Sequence, residues 1–225
     1  MSGSYTQPLV YFFGKGRADG TAAMKDVLGG KGAGLAEMTS LGIPVPPGFT
    51  LATSLCLQYL QSRQFSPRLR AQVEEQLTRV ESATGRAFGD RSRPLLVSVR
   101  SGAPVSMPGM METILNLGLN DATVEGLAAE SGNAAFAWDS YRRFVQMYGC
   151  VVFDLPKRAF EQILDAHKEK AKVAREIDLP VKAIQTLTGE FKAVVKRETG
   201  RDFPTDPIEQ LWYMEIGRAS CRERV

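Results

Sequence analysis

The apolar residues of this chain change their spacing once, near residue 120, and that change limits the architectures open to it. Upstream, short apolar runs stop at glycines or prolines and alternate with helical patterns. Downstream, from Asp121 to about Gly200, the apolar residues recur only at three- and four-residue intervals. The reading is an α+β lobe over 1–120 followed by an all-helical subdomain over 121–212. With 225 residues the chain can bury a sizeable core as one large domain or two small lobes.

Val10-Tyr11-Phe12-Phe13 reads as a strand ending at Gly14. A glycine-rich turn then opens a helix whose apolar face is expected to use Leu35, Met38 and Leu41. The prolines of the stretch from Gly42 to Phe49 forbid a helix and predict an extended connection. Thr53 or Ser54 is placed to cap a helix running through Leu60. A second helix after Pro67 carries Leu69, Val73, Leu77 and Val80. Leu95 to Arg100 reads as a buried strand, Ser101 to Gly109 as a loop, and Thr113 to Leu119 as a returning strand. Helices are expected around Phe136 to Tyr148, from about Pro156, and from Pro180. Asp206, Pro207 and Glu209 open one more helix. Its pattern fades after Trp212, and 213–225 reads as a non-native tail of vector or adapter origin.

The net charge is only +3, with basic residues scattered among acids, which argues against a nucleic-acid binder. No apolar run approaches the roughly 20 residues of a bilayer span, and the start carries neither a basic leader nor an apolar signal core, so a cytoplasmic, membrane-free protein is expected. Cys56, Cys150 and Cys221 lie far apart with no CxxC pair, which supports neither a disulfide framework nor a zinc site. The single histidine, His167, falls in a Lys- and Glu-rich helix and reads as part of a solvated face.

Two segments have the residues for phosphate chemistry. Gly29-Gly30-Lys31-Gly32-Ala33-Gly34 offers bare peptide N–H groups at a helix start, with a lysine among them. It lacks the Ser or Thr of a Walker loop and the spacing of a dinucleotide fingerprint, and it equally describes a tight turn with a surface lysine. Arg100 ends an apolar strand, where a guanidinium needs an anion. The following Ser106-Met107-Pro108-Gly109-Met110-Met111, with Gly102 and Gly109 as pivots, could close over phosphates. The alternative is an Arg100–Glu112 pair across a structural loop.

These segments, taken in order with Pro46-Pro47-Gly48-Phe49, Ile114-Leu115-Asn116-Leu117-Gly118-Leu119-Asn120-Asp121 and Asp139-Ser140-Tyr141-Arg142-Arg143-Phe144, resemble the pyruvate, phosphate dikinase family from about Val10 to Trp212. The resemblance implies an incomplete ATP-grasp-type lobe and the conversion of ATP, phosphate and pyruvate to AMP, pyrophosphate and phosphoenolpyruvate. It implies ATP and phosphate binding by Lys31, Arg100, Ser101, Gly102, Ser106, Met107, Gly109 and Met111. Mg2+ ligands, the phosphohistidine domain and the pyruvate barrel are expected downstream. No catalytic or metal-ligating residue is therefore assigned within this chain, and homodimerisation is expected through an absent C-terminal domain. Pro104 stands where the family has arginine, and Glu112 where it often has aspartate. A phosphoenolpyruvate synthase fragment and a non-catalytic helical interaction module are the alternatives.

Overall fold

The computed structural model describes residues 8–62, 64–100 and 113–220, with side chains left aside at Cys56, Leu57, Leu60 and 214–220. The chain divides into two compact units. Residues up to 85 belong to the first; 86–100 and the described residues from 113 onward belong to the second.

The first unit is built on a three-stranded antiparallel sheet. Strand β1 (Val10–Gly14) lies between β2 (Arg17–Ala18) and β3 (Gly48–Leu51), with Phe12 opposite Phe49 and Phe13 opposite Ala18. Every residue of β1 is buried, because a helix covers each face of this central strand. On one face, α1 (Lys25–Ser40) brings Leu28 and Ala33 onto Tyr11 and Ala52. Burial there raises the pKa of the Tyr11 phenol. On the other, α3 (Pro67–Thr84) lays Arg79 over the Phe12 ring at 4.1 Å. Helix α2 (Ser54–Ser62) connects the layers.

Helix α3 follows its sequence pattern closely. Leu69, Val73, Leu77 and Val80 are all buried, the Ser66 hydroxyl accepts from Leu69 N–H, and Gly85 closes the helix in the left-handed region. Helix α1 does not. Its buried face is Leu28, Gly32, Ala33, Ala36 and Thr39, whereas Met38 is 38% and Leu41 72% exposed. Small residues let this helix approach the sheet closely, so the large apolar side chains expected to face inward turn away. The connection at 42–47 is extended as expected, but it leads into β3, which the prolines had hidden in the sequence.

The second unit pairs β4 (Val97–Val99) antiparallel with β5 (Ile114–Leu117) and is otherwise helical: α4 (Thr123–Ser131), α5 (Ala134–Val152), α6 (Lys157–Ala171), α7 (Val181–Thr199) and α8 (Pro207–Ser220). Val97 and Val99 are only half-buried, unlike the fully buried strand expected, since among the described residues β5 is the one strand paired with them. Helix α5 is central. Its residues Tyr141, Phe144, Val145 and Tyr148 are completely buried, and Phe144 and Tyr148 stack edge-on against Phe203. Across the α6–α7 contact, Phe160 meets Phe191 at 5.0 Å.

Two polar devices lock this unit. Arg142 on α5 is 1% exposed and donates to Asp139 at 2.7 and 2.9 Å, to Glu176 at 2.6 Å and to Gln146 at 3.3 Å. Gln210 on α8, fully buried, accepts from Gly118 N–H and donates to the carbonyls of Leu119 and Pro204. Helix α8 starts as its sequence predicts, with the Asp206 carboxylate accepting from Glu209 N–H, but it continues to Ser220. His167 also departs from expectation. Its side chain is 13% exposed and lies 3.2 Å from Glu190 of α7, so it belongs to the α6–α7 seam rather than to a solvated face.

Candidate functional site

The glycine-rich segment is where local chemistry and geometry agree best. Gly29 has φ 69° and ψ 168°, a conformation that breaks helix α1 after its first turn. Only glycine adopts it without a Cβ clash. The helix therefore restarts at Gly30, so that Gly30, Lys31 and Gly32 form its first turn after the break. Lys31 and Gly30 are both exposed, and nothing lies within 4 Å of where a Gly30 Cβ would stand. An anion can thus reach this backbone, favoured by the positive end of the helix dipole.

The break is held from the sheet side. Thr53 N–H donates to Val27 C=O at 2.8 Å and the Thr53 hydroxyl to Asp26 C=O at 2.5 Å, fixing the turn that precedes Gly29. The sequence offered Thr53 as a helix cap; nothing in its local pattern points to this longer reach. Gly32 has a separate duty, since a Cβ there would lie 2.6 Å from Thr50 Cγ2 of β3. Gly32→Ala is expected to destabilise the first unit by about 1–3 kcal/mol through overpacking, read as a lower denaturation midpoint by circular dichroism.

Arg100 follows β4 in the second unit, and its side chain is exposed. Lys31 lies in the first unit. Ser101, Gly102, Ser106, Met107, Gly109 and Met111, together with Pro104 and Glu112, lie outside the described residues. Among the described residues no cluster of three His, Cys, Asp or Glu could hold a metal ion, and no helix is long and apolar enough to cross a membrane.

In this unit a broken helix opens on Gly-Gly-Lys-Gly and is backed by an antiparallel sheet. Residues 25–75 match the family described as pyruvate phosphate dikinase, AMP/ATP-binding domain. Beyond that segment, the chain is 52% identical over 206 residues to a pyruvate, phosphate dikinase of Rhizobium meliloti, covering 90% of this chain and 23% of that protein. The Clostridium symbiosum dikinase is 52% identical over 86% of this chain and 22% of its own length. A chloroplastic dikinase of Zea mays is 49% identical over 92% and 22% respectively. By sequence, then, the chain is a relative of the pyruvate, phosphate dikinases, and it spans less than a quarter of the length of these relatives.

Proposed function

We propose that this chain is the ATP-binding portion of a pyruvate, phosphate dikinase, the enzyme class that interconverts ATP, phosphate and pyruvate with AMP, pyrophosphate and phosphoenolpyruvate. The observation carrying this reading is the helix restart at Gly30–Lys31, which falls inside the segment matching the AMP/ATP-binding family. In this reading Lys31, the α1 N–H groups and Arg100 hold phosphate oxygens of ATP. Ser101, Gly102, Ser106, Met107, Gly109 and Met111 form the loop that closes over it and excludes water. Charge developing on the transferred phosphoryl group spreads over its non-bridging oxygens, and fixed cations and N–H donors stabilise that charge.

The same reading makes residues 1–120 an incomplete ATP-grasp lobe, 121–212 its helical subdomain and 213–225 a non-native tail. It assigns Mg2+ coordination, the phosphohistidine and the pyruvate site to parts of the full-length protein beyond this chain. It also implies a cytoplasmic enzyme, dimeric through its own C-terminal domain. The long matches to dikinases from bacteria and plants favour this over a phosphoenolpyruvate synthase or a helical docking module.

Because the metal ligands and the adenine pocket are assigned elsewhere, the 225-residue chain is expected to bind Mg-ATP weakly and to form no phosphoenolpyruvate. Isothermal titration calorimetry checks this. Micromolar affinity for the isolated chain would refute the division of the site, while a full-length protein that turns over without ATP would refute the dikinase reading itself.

A further inference from the structure

The structure assigns a second anion site to the first unit, independent of the nucleotide reading: a groove between the β1–β2 turn and the C-terminal half of α3. It encloses about 440 Å³ and is lined among others by Phe12, Lys15, Arg17, Arg79, Ser82 and Ala83. That volume lies within the range of small-molecule sites.

The groove exists because of the turn beside it. β1 and β2 are joined by the two residues Lys15 and Gly16, with φ of 49° and 73°, after the pair Gly14–Arg17. Two successive left-handed residues make the tight turn that matches strand twist, and position one of such turns normally takes Asn, Asp or Gly. A lysine there is strained, and it stands on the turn that lines the groove. Opposite, α3 presents the small residues Ser82 and Ala83, which leave the space open.

Charge decides what enters. Arg79 is already matched: it pairs with Asp19 at 2.8 Å, bonds Gln76 at 2.7 Å and covers the Phe12 ring. Lys15 and Arg17 are exposed and make no ion pair among the described residues, so two positive charges on this rim are left uncompensated. The rim therefore suits a dianion. The Phe12 ring edge, Ala83 and the aliphatic stems of the basic side chains suit a compact apolar body attached to it. The ligand class is a small organic phosphate monoester, with phosphate bound by Lys15 and Arg17.

The test is an amide-resolved NMR titration of the 225-residue chain with phenyl phosphate and, separately, inorganic phosphate. Saturable millimolar shifts are expected at Lys15, Gly16, Arg17, Ser82 and Ala83, tighter for phenyl phosphate than for inorganic phosphate. Lys15→Ala/Arg17→Ala should weaken binding by about twofold to thirtyfold, the loss expected from two exposed ion pairs. Ser82→Trp, which fills the groove without altering charge, should abolish the preference for the aromatic ester. Shifts at Gly30 and Lys31 that survive both variants report the nucleotide segment and leave the groove assignment standing, provided the groove shifts are lost. Absence of saturable shifts at the groove, or groove shifts unchanged in the double variant, overturns it.

Discussion

Arg142→Ala should lower the stability of the second unit by about 3 kcal/mol, the lower end of the cost of breaking a buried ion pair. The Arg142 side chain is 2% exposed, while its partners Asp139 and Glu176 keep 21% and 39% of their side-chain surface. Those carboxylates can regain water once the arginine is gone, and Asp139 still has Arg143 at 2.7 Å, which limits the loss. What cannot be recovered is the tie between α5 and the 3-10 turn Glu176–Asp178, together with the volume that the side chain filled. Arg143→Ala is the control. That side chain is 57% exposed, and its removal should cost no more than about 1 kcal/mol. Urea denaturation followed by circular dichroism separates the two. Equal effects at both positions would show that the network contributes nothing beyond a surface pair.

The largest functional effect is expected in a full-length dikinase carrying these residues. Lys31→Ala and Arg100→Ala should each lower kcat/KM for ATP by about a hundredfold to a thousandfold, the range for removing one fixed donor from a transition-state charge. Both side chains are exposed, so folding should be unaffected, and an unchanged denaturation curve serves as the control. If both cations act on one triphosphate, the double variant should lose less than the product of the single losses, because each removal already disrupts the shared interaction. Wild-type turnover by either variant would remove that residue from the site. Multiplicative losses would mean that the two cations act on separate groups.

Much of this architecture was legible in the sequence where a single local rule decides the structure. Helix α3 has its cap, its apolar stripe and its closing glycine all within one segment, and helix α8 likewise announces its start through Asp206 and Pro207. Helix α1 shows where local reading fails. The stripe Leu35, Met38 and Leu41 has helical spacing, yet the helix buries its glycine and alanine face because closeness to Thr50 and Tyr11 matters more than side-chain size. Strand β3 was hidden for a similar reason. Its pairing with β1 is set across some 37 residues, beyond any local pattern. At the site, the glycine run and Lys31 stood out, but the break at Gly29 and its support by Thr53 are properties of the folded backbone. The partial burial of His167 is likewise tertiary, since its own helix is strongly charged and its ring lies 3.2 Å from Glu190 of α7.

The Gln210 clamp has a consequence for how the molecule is made. One amide side chain satisfies Gly118 and Leu119 from 92 and 91 positions away, and the Tyr148 hydroxyl closes on the carbonyl of the same residue. A chain emerging from the ribosome can form the β1–β3 pairing and the packing of α1 and α3 on β1 early, since all of these elements lie within residues 10–84. The second unit must wait. Until Gln210 has been synthesised and docked, the Gly118 N–H and the Leu119 carbonyl lack this partner, and this part of the protein stays open to chaperones and proteases.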